Sequence, residues 1–173
     1  KKGPHALCVR CPPGGLSVPS ERPGGTDMPG SNTPDERVLE VLRASDGFGS
    51  LDEQVLQDLG RVLHVQTIPG GNIVYREGDA ANTMFFLISG RLRVSRRDRN
   101  GVLQLYNEIR PGESVGEAGL ILQQPRAADI TALRDSTVAM LSRADFERLL
   151  VLHPLPLNRV FARAIYNHLR HAS

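Results

Sequence analysis

Turn signals recur roughly every eight to twelve residues between Val62 and Gly112, and that rhythm limits the fold more tightly than anything else in the chain. Pro69-Gly70-Gly71-Asn72, Glu77-Gly78-Asp79, Ser89-Gly90, Asp98-Arg99-Asn100-Gly101 and Pro111-Gly112 punctuate it. Between them lie the β-rich segments Ile73-Val74-Tyr75, Met84-Phe85-Phe86-Leu87-Ile88, Leu92-Arg93-Val94 and Val102-Leu103-Gln104-Leu105-Tyr106. Segments this short, closed by glycine, proline and asparagine, predict an antiparallel sandwich or barrel. Asn100-Gly101 is a hairpin turn joining Arg91–Arg97 to Val102–Ile109. Two more strands are expected near Asp129–Leu133 and Thr137–Leu141.

Helical patterns flank the strands. Thr33-Pro34-Asp35-Glu36 reads as a capping box with proline in the first turn, ahead of Val38, Leu39, Val41 and Leu42. Ser50-Leu51-Asp52-Glu53 repeats that logic before Val55, Leu56, Leu59 and Leu63. Beyond the strands, Ser142 is the expected cap of a helix with Asp145 at its third position and Phe146, Leu149 and Leu150 on its apolar face. His153-Pro154-Leu155-Pro156 is expected to break it, and a final helix to run from about Leu157 through Val160, Phe161, Ala164, Ile165 and Leu169. The fold class is therefore α+β: an antiparallel β-roll (jelly-roll barrel) with flanking N- and C-terminal helices.

Composition narrows the function classes. Residues 1–32 hold half of the 12 prolines and no apolar periodicity, so they read as a disordered tail or linker, with the folded domain at 33–173. Cys8 and Cys11 form a lone Cys-x-x-Cys without a second pair, so neither a zinc site nor a disulfide framework is expected, and a cytoplasmic setting follows. No apolar run reaches the length of a membrane span. A net charge of +2 is too mild to imply nucleic acid. The basic run Arg91, Arg93, Arg96, Arg97 and Arg99 lacks interleaved aromatics and reads as a solvated hairpin face. A metal-dependent barrel enzyme needs inward-facing histidines, and of His5, His64, His153, His168 and His171 only His64 falls in the β region, so no metal is expected.

One stretch carries chemistry. Pro111-Gly112-Glu113-Ser114-Val115-Gly116-Glu117-Ala118-Gly119-Leu120 is followed by Pro125-Arg126-Ala127-Ala128, which sets Glu117 and Arg126 at 126 − 117 = 9 positions apart. Gly116 permits close backbone approach, and the free amides of a short following helix together with the Arg126 guanidinium suit an anion. A carboxylate beside such an anion serves as an acceptor for a hydroxyl. An ion pair between Glu117 and Arg126 that merely pins a turn fits the spacing equally well.

Gly116-Glu117-Ala118-Gly119-Leu120 with Pro125-Arg126-Ala127-Ala128 resembles the phosphate-binding cassette of cyclic nucleotide-binding domains. Gly70-Gly71, Tyr75-Arg76-Glu77-Gly78-Asp79, Phe86-Leu87-Ile88-Ser89-Gly90 and Pro111-Gly112-Glu113 are similar to that family's turn glycines, in the same order. The resemblance implies a regulatory module rather than an enzyme, with cAMP or cGMP as ligand. It implies Val115, Gly116, Glu117, Ala118, Arg126, Ala127 and Ala128 as the ligand-binding residues. Glu117 would take the ribose 2′-hydroxyl, and Arg126 the cyclic phosphate with amides around Gly116, Ala118 and Ala127. The family often favours cGMP when a threonine follows the arginine; Ala127 points to cAMP. Asp129 stands where threonine or serine is usual, adding a negative charge beside the site, and Ala118 replaces a larger aliphatic residue.

The family uses its last helix as a lid over the base and as the moving part. Phe161, Ile165, Tyr166 and Leu169 are the residues in question, and the same stripe serves equally as core or homodimer contact. Ala132–Ser136, Leu141-Ser142-Arg143, Phe146-Glu147 and His153-Pro154 are similar to the nucleotide-binding regions of patatin-like phospholipases, the neuropathy target esterase relatives. That implies a covalently linked effector domain outside these residues. Two alternatives remain open at this stage. One is a degenerate roll used for protein–protein contact; the other is the sensor half of a transcription regulator lacking its DNA-binding part.

Overall fold

Asp35, rather than Thr33, caps the first helix, α1 (Glu36–Ala44). Its carboxylate accepts from the Arg37 backbone N–H and pairs with the Arg37 guanidinium at 2.9 Å, two contacts that Thr33 cannot offer together. The second expected cap also moves. Ser50 lies in a 3-10 turn (Phe48–Ser50) and donates its hydroxyl to the Gly47 carbonyl, so α2 (Glu53–Val62) starts after Asp52. This computed structural model describes residues 33–171; the predicted tail 1–32, with Cys8 and Cys11, lies outside the described residues.

Eight strands follow, interrupted by one short helix: β1 (His64–Ile68), β2 (Ile73–Tyr75), β3 (Thr83–Ser89), β4 (Leu92–Arg97), β5 (Leu103–Ile109), β6 (Ser114–Val115), α3 (Glu117–Leu122), β7 (Asp129–Ala132) and β8 (Ser136–Ser142). They pair antiparallel in two four-stranded sheets, ordered β1-β8-β3-β6 and β2-β7-β4-β5. The β4–β5 hairpin is locked by Asp98, whose carboxylate accepts from the backbone N–H groups of Asn100 and Val102. Gly101 supplies the positive φ of 78° that the turn requires.

The period of two along β3 divides the core. Met84 and Phe86 face one apolar cluster, Phe85 and Leu87 the other. Both faces of this strand are buried, so it reads as an unbroken apolar run rather than an alternation. The first cluster joins the sheet to the helices, where Phe86, Phe48, Phe161 and Phe146 meet edge to face with ring centroids 4.6, 5.7 and 5.0 Å apart in succession. The second lies between the sheets and holds Ile68, Leu92, Ile109 and Ile130.

Ser142 caps α4 (Arg143–Leu152) as expected, accepting from the Asp145 N–H. The chain then turns at His153 into α5 (Pro154–His171), which starts at Pro154 instead of near Leu157. The first residues of a helix have no intrahelical acceptor for their N–H groups, so Pro154 and Pro156 fit in its opening turn without losing a bond. α5 packs against α3 and α4.

Candidate functional site

Gly116 links β6 to α3 with a φ of +91°, a conformation that disfavours any side chain, and a Cβ there would collide with the Arg126 Nη1. The turn therefore exists only as glycine, and it delivers Glu117, fully buried, at the head of α3. α3 ends at Gln123 in the left-handed region, with φ 55°. The chain then runs back through Pro125 to Arg126.

Arg126 is fixed at both ends. Its backbone N–H donates to the Asp79 carbonyl at 2.9 Å, and its carbonyl accepts from the Gly78 N–H at 2.8 Å. Its side chain is 5% exposed. Nη1 donates to the Gly116 carbonyl at 3.2 Å and Nη2 to the Thr83 hydroxyl at 2.9 Å, while the guanidinium lies 4.1 Å from the Tyr75 ring centroid. Nε is buried with no hydrogen-bond partner. Burial pushes this guanidinium below its usual range, against the opposing pull of Tyr75, Asp79 and Glu117. Burial likewise pushes the Tyr75 hydroxyl up. The guanidinium is thus oriented by a carbonyl, a hydroxyl and a ring, and Glu117 acts on it as a neighbouring negative charge.

Val115, Gly116, Glu117, Ala118, Arg126, Ala127 and Ala128 all line one cavity of about 360 Å³. Tyr75, Val94, Ile109 and Ile130 form its apolar floor. Arg96, Tyr106, Leu122 and Gln124 stand at its exposed mouth. Strand residues were invisible to motif reading because they come from four separate strands, and Arg96, read with its neighbours as a solvated hairpin face, is exposed yet also borders the cavity. Thr83 carried no signal, and Tyr75 entered only as the first residue of the Tyr75–Asp79 turn motif; nothing in the sequence ties either to Arg126.

Two expectations change. Asp129 does not line the cavity; its carboxylate accepts from the Glu77 N–H at 2.7 Å, so the added charge is absorbed by a backbone donor. Phe161 is not a lid residue but core, 2% exposed and stacked edge to face between Phe48 and Phe146. Ile165 is half-buried, Tyr166 is 58% exposed, and the Leu169 side chain lies outside the described residues. No described residue of α5 lines the cavity. That helix instead borders a second cavity of about 840 Å³, with Val160, Arg163, Ala164 and Asn167 facing Ser45 to Phe48 and the β5–β6 turn. Among the described residues there is no cluster of His, Cys, Asp or Glu able to hold a metal, and no helix long and apolar enough to cross a membrane.

The chain is thus an antiparallel roll with flanking helices that carries a buried acid and a buried arginine about a glycine turn. Residues 65–153 match the family model described as the cyclic nucleotide-binding domain, and the chain belongs to that family. It is 32% identical over 142 residues to lysophospholipase NTE1 of Mycosarcoma maydis, a match that covers 78% of this chain and 8% of that protein. Among solved structures it is similar to the regulatory domain of Toxoplasma gondii PKA with cAMP, at 29% identity and a TM-score of 0.61 over 66% of this chain and 43% of that one. A cyclic nucleotide-binding domain from Methylobacillus flagellatus shares the fold at a TM-score of 0.70 and 22% identity, covering 79% of each chain. The domain is a regulatory binding fold, and it spans less than a tenth of the lysophospholipase it matches.

Proposed function

We propose that this domain binds a 3′,5′-cyclic nucleotide, cAMP in preference to cGMP, and relays its occupancy through α5 to a linked effector. The observation that carries the reading is Arg126: a buried guanidinium oriented by Gly116, Thr83 and Tyr75, with Nε left without a protein partner, on the wall of a cavity that also holds the buried Glu117. A cyclic phosphate supplies the missing acceptor and the opposite charge. Glu117 is then the acceptor for a ribose hydroxyl, and Gly116, Ala118, Ala127 and Ala128 keep the wall low enough for the sugar phosphate to seat. The preference for cAMP rests on Ala127, which offers no hydroxyl to a guanine amino group. The Asp129 carboxylate is engaged by the Glu77 N–H, which supports a binding roll over a degenerate one.

The relay rests on α5 packing against α3, the helix headed by Glu117. The exposed Leu155 and Tyr166 of α5 give a second copy of the chain a surface for homodimer contact, which sedimentation velocity checks. The effector is a patatin-like phospholipase domain of the kind found in lysophospholipase NTE1, and the setting is cytoplasmic. Thermal-shift measurement with cAMP, cGMP and buffer tests the binding: cAMP raises Tm most. Arg126→Ala weakens binding about ten- to a hundredfold, the loss expected for a charge-assisted contact. Absence of any shift or calorimetric heat with either nucleotide overturns the proposal. Hydrogen exchange in α5 that is identical with and without bound cAMP overturns the relay alone.

A further inference from the structure

Each four-stranded sheet leaves its two outermost strands open on one side, and the edges are not alike. β6 and β2 have two and three residues, and a short edge offers little backbone to another strand. β1 carries the polar His64, Gln66 and Thr67 among its five residues. β5 has seven, and the chain entering it is apolar and open to solvent: Val102 is 55%, Leu103 51% and Leu105 59% exposed. From Val102 to Asn107 there is no charge and no proline, two of the devices that keep an edge from pairing.

The hairpin sets the direction of this edge. The Val102 carbonyl accepts from the Asp98 N–H at 2.9 Å, and the Val102 N–H donates to the Asp98 carboxylate at 2.9 Å. Both backbone groups of Val102 therefore point towards β4. Successive residues of an antiparallel ladder alternate between its two sides. The N–H and C=O groups of Leu103 and Leu105 thus point away from β4, and no described strand pairs with that side. The two leucine side chains share one face of the sheet. The run ends where Val94 pairs with Asn107 while Ser95 pairs with Leu105, a bulge at Tyr106 that bends the strand.

We propose that β5 is a self-association edge, where a second copy of this chain adds its own β5 antiparallel about a two-fold axis through Gln104. That axis sets Leu103 opposite Leu105 of the second copy, and each such pair exchanges both N–H···O bonds. A second copy is the fitting occupant because the strand is complementary to itself. Its centre is neutral, so the two-fold brings no like charges together. Arg99 is exposed at the hairpin tip, where the Asp98 carboxylate is taken up by the Asn100 and Val102 N–H groups, and Glu108 lies at the far end with its side chain 41% exposed. Antiparallel pairing lays each tip alongside the Glu108 of the other copy. One short strand per copy buries less than about 1,200 Å², the range of weak and reversible pairs. This edge is separate from the exposed Leu155 and Tyr166 of α5 and needs no nucleotide.

Across the axis the two Gln104 residues form a non-hydrogen-bonded pair, with Cα atoms about 4.5 Å apart, inside the range a disulfide spans. In the full chain carrying Cys8→Ser and Cys11→Ser, mild oxidation of Gln104→Cys gives a covalent dimer about tenfold faster than Val151→Cys, whose site is 82% exposed. Sedimentation velocity over a concentration series finds Leu103→Glu/Leu105→Glu monomeric where wild type dimerises, because like charges then stand opposite one another. An equal mixture with Leu103→Lys/Leu105→Lys restores the dimer, a rescue that a folding defect does not give. Ligand-free melts of these variants stay at the wild-type value, since both leucines are exposed. Equal oxidation at positions 104 and 151 overturns the proposal, and so does a wild-type dimer that the glutamate pair leaves intact, which assigns the contact to α5. Hydrogen exchange separates the other occupants: the Leu103 and Leu105 amides exchange freely in dilute protein and slow as concentration rises. Slow exchange at every concentration puts a segment of the same chain on the edge, fast exchange at every concentration leaves it to a foreign strand or to none, and either result overturns self-pairing.

Discussion

The two apolar clusters of this domain share strands β3 and β8 yet serve different ends. The helical-side cluster is dense with aromatic rings and closed: Phe48, Phe86, Phe146 and Phe161 are all at most 5% exposed. The inter-sheet cluster is thinner, and several of its members, among them Tyr75, Val94, Ile109 and Ile130, also form the floor of the cavity. One face of β3 packs into the helical-side cluster and the other into the inter-sheet cluster, whose Ile109, Val115 and Ile130 also line the cavity. What the contrast teaches is a division of labour at the level of alternate residues: Phe86 braces the fold while its neighbour Phe85 lies 5.9 Å behind the Arg126 guanidinium.

The sharpest way to break that division is Phe86→Ala. A fully buried ring at the centre of the aromatic cluster costs about 3–5 kcal/mol when removed, read as a large fall in the denaturant midpoint. Nucleotide affinity of the folded protein, measured well below its Tm, stays within about twofold of wild type. Loss of affinity in step with stability would show that the two clusters are not separable. Gly116→Ala reverses the pattern. A left-handed backbone with a Cβ pressed on Arg126 costs about 1–3 kcal/mol of strain, and calorimetry reports a loss of binding larger than the loss of stability.

Smaller effects sharpen the helical side. Ser142→Ala removes the cap of α4, and chemical denaturation should register about 1 kcal/mol with no change in affinity. The smallest effect concerns Asp58 on α2. Burial pushes its carboxyl up, but hydrogen bonds from His153 and Gln54 outweigh this and hold it below its usual value of 3.8. A carboxyl depressed in the folded state lends stability that is complete above the unfolded value and fades as pH falls through the folded one. Tm should therefore drop more steeply below about pH 4 in wild type than in Asp58→Asn, and parallel curves would show that the α2–α4 contact through His153 adds nothing.

Much of the architecture was legible because it depends on local chemistry. The hairpin at Asn100-Gly101, the Ser142 cap and the run of short strands each follow from a few adjacent residues. That Gly116, Glu117 and Arg126 line one cavity follows for the same reason: they are close in sequence and joined by one glycine turn. What escaped reading depends on competition or on distance. Asp35 outcompeted Thr33 through its pairing with Arg37, and Ser50 was diverted into a 3-10 turn. Proline was read as a breaker at His153-Pro154, whereas the first turn of a helix tolerates it. Thr83 and Tyr75 reach Arg126 across 43 and 51 positions of sequence (126 − 83 and 126 − 75), and no periodicity encodes that meeting.

The backbone of Arg126 has a kinetic consequence. Its two hydrogen bonds to Gly78 and Asp79 fasten it to a turn that is itself closed by the Arg76 N–H to the Asp79 carboxylate at 2.9 Å. An anion arriving at the cavity meets a guanidinium already aimed, and no loop has to be ordered before contact. For the proposed nucleotide the expected outcome is that variants around the pocket change how long the ligand stays more than how fast it arrives, which stopped-flow binding measures.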